Sequence, residues 1–224
     1  MNGTTTNEEQ RHTAVTPTHE EGHRWFAAIY DKMNRSAERG FLGEMRKQLL
    51  SDLTGDVLEI GAGTGANFEH YPPNARVTAL EPDPFMLKRA EEKLAAAGPS
   101  NIMLRQAPAE RLPFDDASFD AVVSTLVLCT VQDVPQSLAE IRRVLRPGGR
   151  LRFIDHVRAA GLGGRVQDLI RPIWGWFGAG CHPNRRTLDA LHSAGFDVTV
   201  AERRTMMGLV PFIRGTARAS SPRA

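Results

Sequence analysis

Apolar residues recur along this chain in two periods, and the switch between them outlines the architecture. Near the start, Trp25, Phe26, Ile29 and Tyr30, then Phe41, Leu42, Met45, Leu49 and Leu50, fall at helical spacing. From Asp56 onward, short apolar runs alternate with amphipathic stretches. The runs Asp56–Ile60, Arg76–Glu81, Ile102–Gln106, Phe119–Ser124 and Arg150–His156 predict five strands. Phe119–Ser124 is unbroken, as in a strand covered on both faces. Helices are predicted over Thr64–Tyr71, stopped by Pro72-Pro73, over Pro84–Ala97, stopped by Gly98-Pro99, and over Pro135–Leu145, with Asp133 as N-cap.

Pro147-Gly148-Gly149 then predicts a chain break. A helix over Leu162–Phe177, interrupted at Pro172, and another over Thr187–Ala194, closed by Gly195, follow. Asp197–Arg203 and Leu209–Gly215 predict two last strands. Such alternation implies an α/β fold: a doubly wound, mostly parallel seven-stranded sheet with N-terminal helices and a C-terminal antiparallel hairpin. One domain over residues 20–215 is expected, its first part (20–52) a helical cap. Residues 1–19 are Thr-, Glu- and Asn-rich, and they and the tail 216–224 are expected to be disordered.

Composition narrows the setting. At 41% hydrophobic and 24% charged the chain reads as a globular protein. No apolar run approaches the roughly 20 residues of a membrane span, and the polar start does not resemble a signal peptide. Two cysteines, Cys129 and Cys181, make no disulfide framework, so a reducing cytoplasmic location is expected. No Cys/His spacing matches a zinc motif, and no metal is expected. Residues 141–224 hold 15 arginines, no lysine and 5 acids, a balance of +10 against −8 for the rest. That face is either simply solvated or attracts an anionic substrate or an acidic surface. It lacks the interleaved aromatics of a nucleic-acid reader, so no nucleic-acid partner is expected.

The chemistry concentrates where the first strand ends. Val57-Leu58-Glu59-Ile60 runs into Gly61-Ala62-Gly63-Thr64-Gly65. Spaced glycines after a buried strand bring bare backbone against a nucleotide-bearing cofactor. The third glycine comes too early for the dinucleotide fingerprint, and Ala66-Asn67 replaces the Lys-Ser or Lys-Thr of a P-loop. Glu59, just before the turn, suits a cationic ligand. In such sheets ligands lie beyond the carboxyl ends of the strands. Glu81, about 20 residues past the glycines, is placed to accept both ribose hydroxyls. Pro82, Ala109-Glu110 and Thr125 end neighbouring strands and line the same crevice, with Glu110 or its backbone near an adenine ring or simply at the surface.

Together, Glu59 to Gly65, Glu81, Glu110-Arg111-Leu112-Pro113-Phe114, Ser118-Phe119-Asp120 and Leu145-Arg146-Pro147-Gly148-Gly149 resemble the class I S-adenosylmethionine-dependent methyltransferases over about residues 53–155. The resemblance implies a Rossmann-like methyltransferase fold, S-adenosyl-L-methionine as cofactor, the glycine turn at its amino-acid end, Glu81 at its ribose and Asn67 among its binding residues. Pro108 stands where the family often has Asp, so adenine recognition must come from elsewhere. Gly65-Ala66-Asn67-Phe68, Tyr71-Pro72-Pro73, Leu126-Val127-Leu128-Cys129-Thr130-Val131, Asp155-His156-Val157 and Gly180-Cys181-His182-Pro183-Asn184-Arg185 resemble the thiol S-methyltransferases of the methyltransferase-like type and their soluble bacterial relatives. Animal members carry a hydrophobic N-terminal anchor, which is not expected here because the first residues are polar, and mostly have Glu where Asp155 stands.

A thiol acceptor needs only modest help to ionise, since its pKa is about 8.5. An alcohol or a carbon acid needs a real base. His156, at the end of the fifth strand, is the expected base or thiolate stabiliser, or else a strand-end histidine bonded to a carbonyl. Asp155 is expected on the opposite face. Cys129 fits the methionine end of the cofactor or the core. Cys181 borders the substrate, or is a free or self-methylated thiol. Arg185, which the resemblance places over the site, is expected to orient the substrate, and Asn184 to do so or cap a helix. Val166, Leu169, Ile170, Ile173, Trp174 and Phe177 form one stripe, read as core or, through Trp174, as the wall of an apolar substrate pocket. With its flanking arginines the same helix also suits weak contact with a membrane surface. The leading expectation is methyl transfer to a small-molecule thiol or sulfide. The alternatives are an O-, N- or C-methyltransferase acting on a quinone precursor, phospholipid or natural product, and a cofactor-binding scaffold.

Overall fold

The computed structural model describes residues 38–97, 99–177, 181–206 and 210–220. A π-helical turn (Glu38–Leu42) leads into helix α1 (Gly43–Leu50), which lays Met45, Leu49 and Leu50 on the sheet. The strands are β1 (Gly55–Ile60), β2 (Ala75–Leu80), β3 (Ile102–Arg105), β4 (Phe119–Thr125), β5 (Leu145–His156), β6 (Phe196–Met206) and β7 (Val210–Ala219). Helices α2 (Pro84–Ala97), α3 (Val134–Val144), α4 (Gly161–Phe177) and α5 (Thr187–Ser193) connect them. The sheet order is β3-β2-β1-β4-β5-β7-β6. The first five strands pair in parallel, and β7 pairs antiparallel to both β5 and β6. The doubly wound, mostly parallel seven-stranded sheet with a terminal hairpin is therefore present. Sequence order reverses between β1 and β4, so a crevice opens at the carboxyl ends of those two strands.

Each face of the sheet carries a core. One joins Leu58, Ile60, Val122, Phe153 and Ile213 to the inner face of α3 (Leu138, Ile141, Val144). The other joins Val57, Val77, Val123 and Ile154 to α1. Strand alternation divides β1 between the two: Val57 goes one way, Leu58 and Ile60 the other. Asp133 caps α3 as expected, its carboxylate accepting the Gln136 N–H at 2.9 Å.

Four expectations are corrected. Thr64–Tyr71 is not an α-helix but a turn followed by a 3-10 turn at Phe68–His70, because Gly65 (φ 82°) is left-handed and cannot carry a right-handed helix through. Pro147-Gly148-Gly149 does not end an element. It sits in a bulge of β5, where Phe119 pairs with Leu145 and Ala121 already with Arg150. Helix α4 runs unbroken past Pro172, since an interior proline removes one backbone donor without necessarily ending a helix. The chain after Thr216 is strand up to Ala219, with Ala217 wholly buried. The predicted helix at Trp25–Tyr30 and the N-terminal tail lie outside the described residues. No helix among the described residues is long and apolar enough to cross a membrane.

Candidate active site

The turn after β1 is held open by backbone that only glycine adopts readily. Gly61 (φ 61°) and Gly63 (φ 59°) are both left-handed. A Cβ on Gly61 would lie 2.5 Å from Val127 Cγ2, so the turn and the loop after β4 touch there. A Cβ on Gly63 would meet nothing within 4 Å. Space above Gly63 is the crevice itself. Glu81, buried at the end of β2, accepts the Gly63 N–H at 2.8 Å on one oxygen and the Asp83 N–H at 2.9 Å on the other. Burial raises its pKa to about 7, against the pull of those two bonds. Each oxygen keeps a lone pair for a further donor.

Beneath the turn lies a buried polar network. Glu59 accepts Asn67 Nδ2 at 2.8 Å and Tyr71 Oη at 2.9 Å. Asn67 Nδ2 also donates to Thr125 Oγ1, and its Oδ1 accepts from Arg46 Nη1. The buried Arg46 in turn holds Glu38 through two nitrogens. Burial raises the Glu59 pKa, opposed by the bonds from Asn67 and Tyr71. Glu59 and Asn67, expected at the cofactor, are thus only 2% and 1% exposed and brace the turn from below. Thr125 is tied to the same brace. Lys93 Nζ reaches across to the Gly65 carbonyl at 2.8 Å. Sequence reasoning missed Arg46, Tyr71 and Lys93. For Arg46 a signal existed: it lies four residues after Leu42, on the apolar stripe of the cap helix, where a charge must find partners.

Two expected adenine-side residues go different ways. Ala109 is buried beside the crevice end of β3, whereas the Glu110 carboxylate accepts the Gln132 N–H at 2.9 Å and so braces the loop before α3. Pro82 is half-buried and its carbonyl accepts from Gln106.

At the ends of β4 and β5 three distant segments converge. Leu126 adopts a left-handed φ of 62°, which costs about 1–2 kcal/mol for a residue with a Cβ, and donates its N–H to the Ile154 carbonyl. That turn folds the next loop so that Cys129 reaches the end of β5. His156 is 8% exposed, its ring edge-on to Phe212 with centroids 4.5 Å apart. Cys181 Sγ lies 3.3 Å from His156 Nδ1. Cys129 is in hydrogen-bond contact with both Cys181 and Asp155. The contact with Cys181, and burial after it, push the Cys129 thiol up. Burial pulls the His156 pKa down, but the Cys181 contact outweighs it and leaves the imidazole above its usual range.

The Asp155 carboxylate accepts Thr187 Oγ1 at 3.0 Å and also contacts the Cys129 thiol, so it lies beside the cluster rather than away from it. Burial raises its pKa to about 6 against the His156 charge and the Cys129 and Thr187 bonds. Donor atoms of Cys129, His156 and Cys181 all lie within 4.8 Å of one another, a grouping that no zinc-motif spacing along the chain announces. Spacing rules find ligands on one hairpin or helix, and these three come from separate segments.

The remaining expected substrate residues are placed differently. Arg185 Nη1 donates to the carbonyls of Leu128 (2.7 Å) and Val131 (2.8 Å), pinning the Cys129 loop rather than pointing at a substrate. Asn184 donates to Asp168 at 2.7 Å. The Trp174 side chain lies outside what the structure describes. Of its stripe, Val166 and Leu169 are exposed (39% and 79%), while Gly164 and Gln167 face inward. That part of the stripe is neither core nor covered wall.

The chain is similar to known proteins. The methyltransferase domain family matches residues 58–153. Human thiol S-methyltransferase TMT1B is 38% identical over 195 residues, covering 80% of this chain and 76% of the relative. Demethylmenaquinone methyltransferase of Lactiplantibacillus plantarum is 32% identical over 160 residues, covering 67% of this chain and 65% of the relative. A solved SAM-dependent methyltransferase from Thermotoga maritima superimposes with a TM-score of 0.62 at 22% identity, over 85% of this chain and 97% of that one, a likeness of fold.

Proposed function

The chain belongs to the class I S-adenosylmethionine-dependent methyltransferases, and from that premise we propose that it methylates a small-molecule thiol or sulfide. When bound, S-adenosylmethionine supplies a methyl group already activated on a sulfonium. The crevice fits it. The open space over Gly63 admits the methionine end against bare backbone, and Glu81 offers two free lone pairs to a ribose diol. Pro82, Ala109 and Glu110 flank the place for the base, with Glu59, Asn67 and Thr125 holding the turn in shape from beneath.

The observation that carries the thiol reading is the His156–Cys181 contact at the end of β5. Contact with Cys181 favours the protonated imidazole, which suits stabilising a sulfur anion better than accepting a proton. Asp155, the carboxylate beside the cluster, is occupied by bonds from Thr187 and Cys129. Such a site assists an acceptor that ionises easily and does little for an alcohol or carbon acid. The 38% identity to a thiol S-methyltransferase supports the same reading. His156 would stabilise the thiolate, Cys129 and Cys181 would border it, and Arg185 would hold the loop that carries Cys129.

The demethylmenaquinone methyltransferase relative favours a second reading, methylation of a quinone precursor. A panel of thiols, phenols, quinols and amines with methyl-labelled cofactor separates the two. Label is expected on thiols. Label on quinols or amines, with none on thiols, overturns the proposal.

A further inference from the structure

We propose that Cys129, His156 and Cys181 form a zinc site whose open fourth position takes the sulfur of the acceptor thiol. The inference deepens the thiol reading above and rests on it. The three donors arrive from the loop after β4, the end of β5 and the segment before α5, and lie within 4.8 Å of one another. Tetrahedral zinc with bonds of about 2.3 Å to sulfur and about 2.0 Å to nitrogen sets its ligands about 3.5 Å apart. Cys181 Sγ and His156 Nδ1 are already 3.3 Å apart. Two thiolates, one imidazole and a vacant position are the donor set of a catalytic zinc, whereas a structural zinc fills all four positions with protein.

The donors are also held in place. The His182 N–H donates to the Cys129 carbonyl at 2.9 Å, tying the two cysteine segments together. Arg185 Nη1 clamps the same loop on either side of Cys129, and the Arg158 N–H donates to the Arg185 carbonyl at 3.1 Å. Cys129 is wholly buried, while Cys181 and His156 keep 6% and 8% exposure. A fourth ligand would therefore enter from the Cys181–His156 side.

The step balances. The acceptor thiol coordinates through sulfur, its S–H bond breaks and the proton leaves to solvent. The zinc-held sulfur keeps the electron pair and forms the new S–C bond. The C–S bond to the sulfonium breaks and its pair stays on the departing sulfur. Nothing is oxidised or reduced. In this form His156 stabilises the sulfur anion through the ion.

Cobalt is the probe, because Co2+ in a thiolate-rich tetrahedral site absorbs strongly and zinc does not. Chelator-treated full-length protein is titrated with Co2+ under reduction. One equivalent is expected to bind with a thiolate-to-cobalt band that moves when a small thiol is added. Cys129→Ser, Cys181→Ser and His156→Ala are each expected to weaken binding about 100-fold or more. In the unmutated chain, Zn2+ is expected to protect both cysteines from an alkylating reagent, read by mass, which keeps the test independent of how the variants fold. No cobalt band and no protection by Zn2+ overturn the site. A band that no thiol moves overturns the fourth-ligand role. Undiminished thiol methylation by metal-free protein overturns the zinc step and leaves the thiol reading standing, whereas a thiol-responsive site with methyl transfer only to quinols or amines overturns that reading instead.

Discussion

Glu81 couples the cofactor to pH. Its carboxyl titrates near 7 in the folded protein because it is buried, and near 4.3 when unfolded. The folded state therefore holds the proton more tightly. By linkage this favours folding below about pH 4.3 and is lost as pH rises to 7, an effect on the order of 3 kcal/mol. Ribose hydroxyls donate to the ionised form, so cofactor binding draws the pKa down. Calorimetric affinity for S-adenosylmethionine is accordingly expected to weaken about tenfold per pH unit below 7, with proton release on binding. Glu81→Gln should bind more weakly and lose that slope, and an unchanged affinity in the variant would remove the ribose assignment. Gly63→Arg tests the neighbouring position. It should fold with a penalty of about 1–2 kcal/mol for its left-handed backbone, seen in thermal melts, and lose cofactor binding by filling the crevice. The Glu81 role is legible in the sequence because strand ends and glycine spacing are local. That Glu59 and Asn67 face downward is not, because it depends on Tyr71, Thr125 and Arg46 meeting under the turn.

Helix α1 and the glycine turn form one mechanical unit through Arg46. Removing a buried guanidinium leaves Asn67 and Glu38 without a donor. Arg46→Ala is expected to cost about 2–3 kcal/mol, a fall of roughly 5–10 °C in melting temperature for a chain of this size, and to loosen cofactor binding although it touches no cofactor. Helix α4 predicts the reverse. Leu169 is 79% exposed, so Leu169→Ser should shift stability in a denaturant titration by no more than about 0.5 kcal/mol. Of the apolar stripe, Val166 and Leu169 do not form core, because Gly164 and Gln167 occupy the contact there. The Gln167 side chain bonds the Val157 carbonyl and the Ala159 N–H, which holds that face of the helix inward.

Across the whole molecule, β7 holds the sheet together on its far side, paired to β5 from Arg150 to His156 and to β6 from Phe196 to Met206. A chain ending at residue 215 leaves Ala217 and its partners unpaired, and is expected to aggregate or to melt at least about 10 °C lower in a thermal scan. Taken alone, the sequence determined the seven-strand plan, the order of helices, the glycine turn and Glu81, and through them the methyltransferase family. These are local features: period, breakers and the backbone needs of glycine depend on neighbours in the chain. Tertiary structure alone decided that the donor atoms of Cys129, His156 and Cys181 come within 4.8 Å of one another, that Arg185 serves their loop, and that the chain past Thr216 is strand. Each depends on segments far apart in sequence that meet only when the sheet closes, and no spacing along the chain encodes such a meeting.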